Sequence, residues 1–587
     1  MELEMGHENT ITREETDQEK WVHDASVDHR GNLPLRVSTG VWKATPFILT
    51  IEFSERVSFF AIATNLITYL TRVIHQDLET AVKNVNYWAG TTTLMPLIGG
   101  FAADAYTGRF NMVLCSSLVY LMGLSLLTMS QFIPSLTPCK NNSKVCVEPR
   151  KAHEVVFFLA LYCISLGTGG YKPCLQSFGA DQFDDDHSEE RKKKMSFFNW
   201  WNFSMCFALL LGVTVVVYLQ DYVGWGLASL SLTILMALTI VAFYFGKPFY
   251  RFRSSEGNTL TPILQVVVAA IRKRNLPVPS NPSLFYEVPK SQGRLLSHTN
   301  RLRCLDKAAI IEDKNEEQRD IKAWRLTTLT RVEETKLILN MIPIWLTSMT
   351  NGICIAQSTT LFVKQADAMK LNITHSFKIP PASLAAAGAV GTLISVPIYD
   401  RIIVPFFRKL RRNERGISIL QRIGIGLAFS VLVMVVAALV EKQRLGKVMS
   451  GNNEKMSVFW LVPQYLLLGF GDSFSLVGLQ EYFYDQVPDS MRSFGIALFL
   501  SVIGVASFLS SFLIIIVDHV TGKNGKAWIG KDVNMSRLDK FYWFLAVLGA
   551  LNMCAFVLLA RRYTYKPVQR RVMEADNKGV EDEATRV

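Results

Sequence analysis

Three charges stand close together in an otherwise apolar stretch: Glu52, Glu55 and Arg56 occupy positions i, i+3 and i+4, the spacing that places side chains on one face of a helix. Two acids sharing one base can hand a proton on and off, because the proton affinity of each carboxylate depends on which one the arginine engages. That is the chemistry of a proton-coupled switch; a static ion cluster is the bland alternative. Ionisable residues inside apolar segments are costly unless paired or wet, so others of the kind are also candidates. Lys172 follows Gly167-Thr168-Gly169-Gly170 and precedes Pro173, a pattern that reads as a helix discontinuity presenting the ammonium to a central cavity. The glycine spacing and Pro173 exclude a nucleotide-binding loop. Glu481 follows Gly469, Gly471 and Gly478 and precedes Tyr482, Phe483 and Tyr484. An acid in one half and a base in the other can bridge and close one side of a pore; the alternative for Glu481 is a water-facing position at a helix end. Asp472 stays outside this core set. Asn202 stands beside the aromatic cluster Phe197, Phe198, Trp200 and Trp201, which either anchors a helix at the membrane interface or lines a cavity.

The elements that hold these residues are membrane spans. The 587 residues are 49% hydrophobic and 19% charged, with mean hydropathy +0.21, and the apolar residues gather in blocks long enough to cross a hydrocarbon core of about 30 Å. Spans are expected near 43–70, 84–105, 110–132, 154–176, 196–220 and 226–246, and again near 334–362, 380–400, 416–440, 458–484, 493–517 and 540–561. Six spans, a hydrophilic insert and six more form two helical bundles around a pore. The divisions are a tail over 1–42, a bundle over 43–246, a linker over 247–333, a second bundle over 334–561 and a tail over 562–587.

The net charge of +12 belongs to connectors such as Arg408 to Arg415 and reads as positive charge on the cytosolic side, not as a nucleic-acid surface. Both termini are then cytosolic. The first forty residues carry no apolar run, so insertion is expected to use the first span. The sequons at Asn141, Asn372 and Asn534 fall on the other side and are glycosylation candidates. The loop from Glu441 to Ser457 conflicts with this, because it sets Lys442, Arg444, Lys447 and Lys455 on the outside. Asp104 and Arg109 after the second span are echoed by Asp400 and Arg401 after the eighth, a weak repeat whose acids and bases can latch neighbouring helices on the cytosolic side.

The nine cysteines include no C-x-x-C pair, so no metal site is expected. Cys139 and Cys146 flank the Asn141 sequon and are either a disulfide or two free thiols. The run Leu260 to Ile271, closed by Arg272, Lys273 and Arg274, reads as an amphipathic helix that lies on the membrane or braces the bundles. No metal-ligand, nucleophile or cofactor motif points to an enzyme.

The residues resemble those of the proton-dependent oligopeptide transporter family of the major facilitator superfamily, in its plant nitrate transporter 1/peptide transporter branch. Glu52-Phe-Ser-Glu55-Arg56 looks like the family's ExxER motif, and the stretch from Leu166 to Asp184 is similar to its fourth-helix signature. Phe197 to Asn202, Arg303 to Ala309, Ile379 to Ser383 and Glu481 to Gln486 are typical of the plant branch. The resemblance implies an all-α membrane protein with the major facilitator fold, and alternating access with proton symport through Glu52, Glu55 and Arg56. It also implies Lys172 and Glu481 as salt-bridge partners across the halves. The partners expected are a small-molecule substrate, protons and the bilayer of a plasma or vacuolar membrane, with no cofactor beyond the proton as coupling ion. Phe59, Phe60 and Ala61 stand where many peptide carriers have aromatic hydroxyls, and Ile355 stands at the place of a nitrate-type histidine. Gln357 and Thr359 are candidate polar groups of the cavity. Family substrates include nitrate, di- and tripeptides and plant metabolites or hormones; nitrate is the single best expectation.

Overall fold

The structure, a computed structural model, describes residues 20–22, 24, 26–133, 151–184, 187–253, 260–277, 285–286, 298–311, 324–374, 377–411, 417–450, 455–487, 492–522, 527–563 and 565. Helices α1 Val41–Arg72, α2 Leu78–Ala102, α3 Arg109–Phe132, α4 Lys151–Ala180, α5 Ser188–Leu211 and α6 Trp225–Phe245 form the first bundle. The short α7 Leu260–Arg272 lies between the bundles. The second bundle contains α8 Leu329–Ser358 with α9 Leu361–Asp367, α10 Ala385–Ile398 with α11 Val404–Arg411, α12 Ile419–Met449, α13 Val462–Gln486, α14 Arg492–Gly522 and α15 Leu538–Arg562. These make twelve crossings. Several of them are irregular: α5 continues through π-helical stretches Gly212–Val216 and Leu219–Val223, α8 breaks at Thr359 and Thr360 before α9, and a π-helical stretch Tyr399–Ile403 joins α10 to α11.

Nine of the crossings are long and apolar enough by composition alone to span a bilayer. The other three are α1, α2 and α13. Two of these carry acids in mid-span, the buried Glu52 and Glu55 in α1 and the partly buried Asp472 in α13, and charge inside a span lowers its mean hydropathy. The crossings with weaker membrane signatures therefore include those that hold the candidate chemistry.

Within the first bundle α3 packs on α4 and α6, and α2 on α4; within the second, α12 packs on α13 and α15, and α10 on α13. The run Gly167-Thr-Gly-Gly170 is a packing seam and not the discontinuity its composition suggests. α4 continues through it, and a Cβ at Gly167 or Gly170 would collide with α3 at Tyr120 and Ser116, while one at Gly169 would strike Met95 of α2. α12 also runs further than expected. A capping box between Ser418 and Gln421 starts it, and its last turns carry Glu441 and Arg444, both buried and paired at 2.7 Å. Arg444 is therefore neutralised inside the bundle, which removes part of the charge conflict noted for this region.

The face carrying the start of α1, the ribbon β1 Ser26–Val27 with β2 Phe252–Arg253, and the linker is called here the near face. The linker helix braces the second bundle: Val266, Ala269 and Ala270 of α7 bury against Phe285, Leu305, Ala308, Ala309 and the α8 residue Val332. At the far face the bundles meet. α2 lies on α14, with Gly90 against Phe508 and Gly504 against Leu94. Asn86 donates to Ser510 at 3.2 Å, and Ser511 to the Lys83 carbonyl at 3.4 Å. Among the described residues, the side-chain hydrogen bonds that cross from bundle to bundle all fall in this far half.

Candidate functional site

The triplet lies on the inward side of α1, where helical spacing places all three side chains against the interior. Glu55 is completely buried, and Glu52 and Arg56 nearly so. Arg56 Nε donates to Glu55 Oε2 at 2.5 Å and stands 3.6 Å from Glu52 Oε1. Glu55 thus holds the guanidinium, while Glu52 is the looser partner. Thr168 of α4 donates to Glu55 at 3.5 Å, and the Tyr120 hydroxyl reaches the Glu55 carbonyl at the same distance.

The close α4 packing permitted by the glycine seam also brings up Lys172. Its ammonium lies 6.0 Å from the centroid of the Phe59 ring, and the Arg56 guanidinium lies 5.1 Å from the same ring. Lys172 is within electrostatic reach of both Glu52 and Glu55. Four charges, two of each sign, therefore share one pocket beside an aromatic ring that attracts cations without offering a hydrogen bond.

Lys172 and Glu481 are not brought together. Glu481 pairs with Arg422 of α12 at 3.3 Å, and its side chain is 41% exposed. Arg422 in turn stacks 4.2 Å over the Tyr399 ring and donates to the Ser473 carbonyl. The helical repeat explains the outcome. Asp472 and Glu481 are nine residues apart on α13, about half a turn out of phase, so they address opposite sides of the helix. Both face neighbours in the second bundle, Glu481 towards α12. Asp472 lies beside Cys354 of α8, and its Oδ1 is buried with no hydrogen-bond partner among the described residues. A carboxylate in mid-span was the available signal for Asp472; which way α13 is turned was not readable from the chain.

The other expected residues divide. Gln357 is buried and donates to the Ile353 carbonyl and to Ser510 of α14, each at 3.0 Å, so its amide joins α8 to α14. Thr359 ends α8, its hydroxyl 3.4 Å from the Ala356 carbonyl. Asn202 is exposed on α5. Arg109 pairs with Asp181 at the end of α4 at 2.5 Å, and Arg401 is exposed in the π-helical stretch. The side chains of Asp104 and Asp400 lie outside the described residues, as do Cys139, Asn141 and Cys146. Asn372 is exposed on the far face; Asn534 accepts from Arg444 at 2.7 Å, and Ser536 of its sequon is buried.

Two clusters were missed. The first is a far-face clasp between the bundles: Arg72 at the end of α1 engages Asp367 of α9, Lys364 lies 2.6 Å from Asp367, and Lys364 donates to Thr71 at 3.1 Å. Residues nearly 300 positions apart carry no local signature of such a contact. Arg72 is 45% exposed, and pairs that wet contribute under about 1 kcal/mol. The second cluster joins linker and bundle. His298, Asp306 and Glu333 converge like metal ligands, but the Lys336 ammonium sits 2.6 Å from Asp306 and 2.7 Å from Glu333, supplying the cation itself.

Two six-helix bundles joined at one face, with a buried charge cluster inside the first, have the architecture of a secondary transporter of the major facilitator type. The POT family model matches residues 110–530. "Protein NRT1/ PTR FAMILY 5.6" of Arabidopsis thaliana is 60% identical over 558 residues, spanning 94% of this chain and 96% of the relative. "Protein NRT1/ PTR FAMILY 5.7" of the same plant is 58% identical over 563 residues, 94% of this chain and 93% of the relative. Among solved structures, an auto-inhibited POT family peptide transporter matches with TM-score 0.68 and 20% identity, covering 90% of this chain and 99% of that one. The chain belongs to the POT family, in its NRT1/PTR branch: it is a multi-pass membrane transporter of small molecules and not an enzyme.

Proposed function

We propose that this chain is a proton-coupled symporter of a small anion or polar metabolite, with nitrate as the first candidate, and that it works by alternating access. The observation that carries the reading is the buried cluster of Glu52, Glu55, Arg56 and Lys172, in which two acids balance two bases. An anion drawn to Lys172 and Arg56 adds a negative charge to a pocket that lipid and protein insulate, and an uncompensated buried charge is costly. Protonation of Glu52, the looser partner of Arg56, restores neutrality. The charge count therefore couples at least one proton to each monovalent anion. The ring of Phe59 and the neighbouring Phe60 favour such cargo over a peptide backbone, whose amides need hydrogen-bonding partners.

In this reading the near face is cytosolic and the membrane is the plasma or vacuolar one. The structure then corresponds to a state closed outside and parted inside. On return, Lys172 swings to the unpartnered Asp472 of α13 and closes the near face; substrate arriving at Lys172 releases that bridge. The test is an inward current in oocytes on adding nitrate, larger at acidic than at neutral external pH. A dipeptide current without a nitrate current would replace the cargo and keep the mechanism; transport of neither kind, with correct surface expression, would remove nitrate and peptides together.

A further inference from the structure

The far-face clasp contains one more acid than its ion pairs use. Asp221 belongs to the π-helical turn Leu219–Val223 that continues α5. Asn65 of α1 holds it in place, its amide nitrogen 3.0 Å from both Gln220 Oε1 and Asp221 Oδ1. The second oxygen, Asp221 Oδ2, is buried with no hydrogen-bond partner among the described residues. Asp221 lies within electrostatic reach of Arg72 and of Asp367. In this structure Arg72 and Lys364 both serve Asp367, so two cations crowd one acid while another waits beside them.

We propose that Asp221 is the second seat of Arg72: when the far face opens, Arg72 leaves Asp367 and moves onto Asp221 Oδ2. The connectivity favours this exchange. Arg72 and Asp221 are in the same bundle and stay neighbours as the bundles part. Lys364 and Asp367 are three residues apart on α9 and remain paired. The closed clasp has two cations on Asp367, whereas the open one has Arg72 with Asp221 and Lys364 with Asp367, and no charge is left unmatched on either side. Without the second seat, opening would leave the half-exposed Arg72 with water alone, and the closed state would be favoured by the worth of one wet ion pair. Asp221 is thus a positioning residue for the conformational step and touches no cargo. The proposal rests on alternating access but not on proton coupling or on nitrate.

The experiment is hydrogen exchange read by mass spectrometry on the full-length transporter in lipid nanodiscs, without substrate or pH gradient. Peptides covering α9 and the first turns of α2 report far-face opening; peptides covering residues 298–311 report the fold. Asp221→Asn should slow far-face exchange by about threefold to fivefold, the scale of a population shift from one wet ion pair, with the linker peptides unchanged. Asp221→Glu should stay close to wild type. Arg72→Gln should speed far-face exchange, and adding Asp221→Asn to it should change nothing further, because the seat matters only to Arg72. Unchanged or faster far-face exchange in Asp221→Asn overturns the proposal, as does an effect of Asp221→Asn that persists in the Arg72→Gln background. Loss of proton coupling elsewhere in the protein leaves these readouts unaffected.

Discussion

Asp472 and Glu481 lie on one helix, and in the cycle proposed above Asp472 is the gating acid for Lys172. Asp472→Asn and Glu481→Gln each remove one charge with little change of shape. Two unit charges about 4 Å apart in surroundings of effective dielectric about 20 attract by ~4 kcal/mol, and breaking a buried pair by removing one partner costs about 3–5 kcal/mol. Loss of a Lys172–Asp472 bridge should therefore shift the balance between near-closed and near-open states by about two to three powers of ten. The Arg422–Glu481 pair is different. With Glu481 41% exposed, it contributes under about 1 kcal/mol, so Glu481→Gln should shift the same balance by about fivefold at most. The assay is the initial rate of labelled nitrate uptake per transporter at the oocyte surface, with hydrogen exchange of near-face peptides in α4 and α13 as the cargo-independent readout. Asp472→Asn should reduce uptake by about a hundredfold and raise near-face exchange, the lower end of the range worked above. Near-wild-type behaviour in Asp472→Asn with collapse in Glu481→Gln would refute the helical-phase reasoning.

Two other outcomes follow from the near face. Gly40 has φ +69°, and a Cβ there would collide with the Arg251 guanidinium, which is fully buried and held by Glu190 at 2.7 and 3.2 Å. Gly40→Ala should lower stability by about 2–5 kcal/mol, from backbone strain plus displacement of a buried pair. Gly31→Ala, at φ +84° with open space around it, should cost only the strain; equal thermal unfolding shifts for the two would contradict this. The tail ribbon depends on Asp24, where burial works against the charged form but the Ser26 hydroxyl and Arg253 outweigh it and hold the carboxyl below its ordinary pKa of 3.8. A depressed carboxylate stabilises at pH above its unfolded value and stops doing so as pH falls through the folded one. Exchange at residues 26–36 should therefore rise as pH drops below 3.8, and Asp24→Asn should abolish that rise; an unchanged pH profile in the variant counts against the ribbon's ionic tether.

Much of this architecture was readable because lipid imposes it. Each crossing needs a long apolar helix, and a charge within one needs a reason, which is how Glu52, Glu55, Arg56 and Lys172 were found from type and spacing. What could not be read was set by how helices turn towards each other. The glycines before Lys172 look like a break, yet they are shaped by the surfaces of α2 and α3 that press on them. Glu481 and Asp472 are equally charged in the sequence; only the rotation of α13 separates a residue facing α12 from one facing α8. The helical continuation of α12 through Arg444 depended on Glu441, Val533 and Asn534 being there to receive it. Arg72, Asp367 and Asp221 meet only because the bundles close at the far face.

The central claim is that Glu52, loosely held by Arg56, carries the coupling proton. The most direct measurement uses purified transporter in liposomes with labelled nitrate, comparing wild type with Glu52→Gln under an imposed pH gradient and in gradient-free exchange. The account predicts that Glu52→Gln loses gradient-driven accumulation while exchange between the two sides continues, because a permanently neutral group still permits the conformational step but no longer registers the proton. Accumulation at the wild-type level in Glu52→Gln would contradict it.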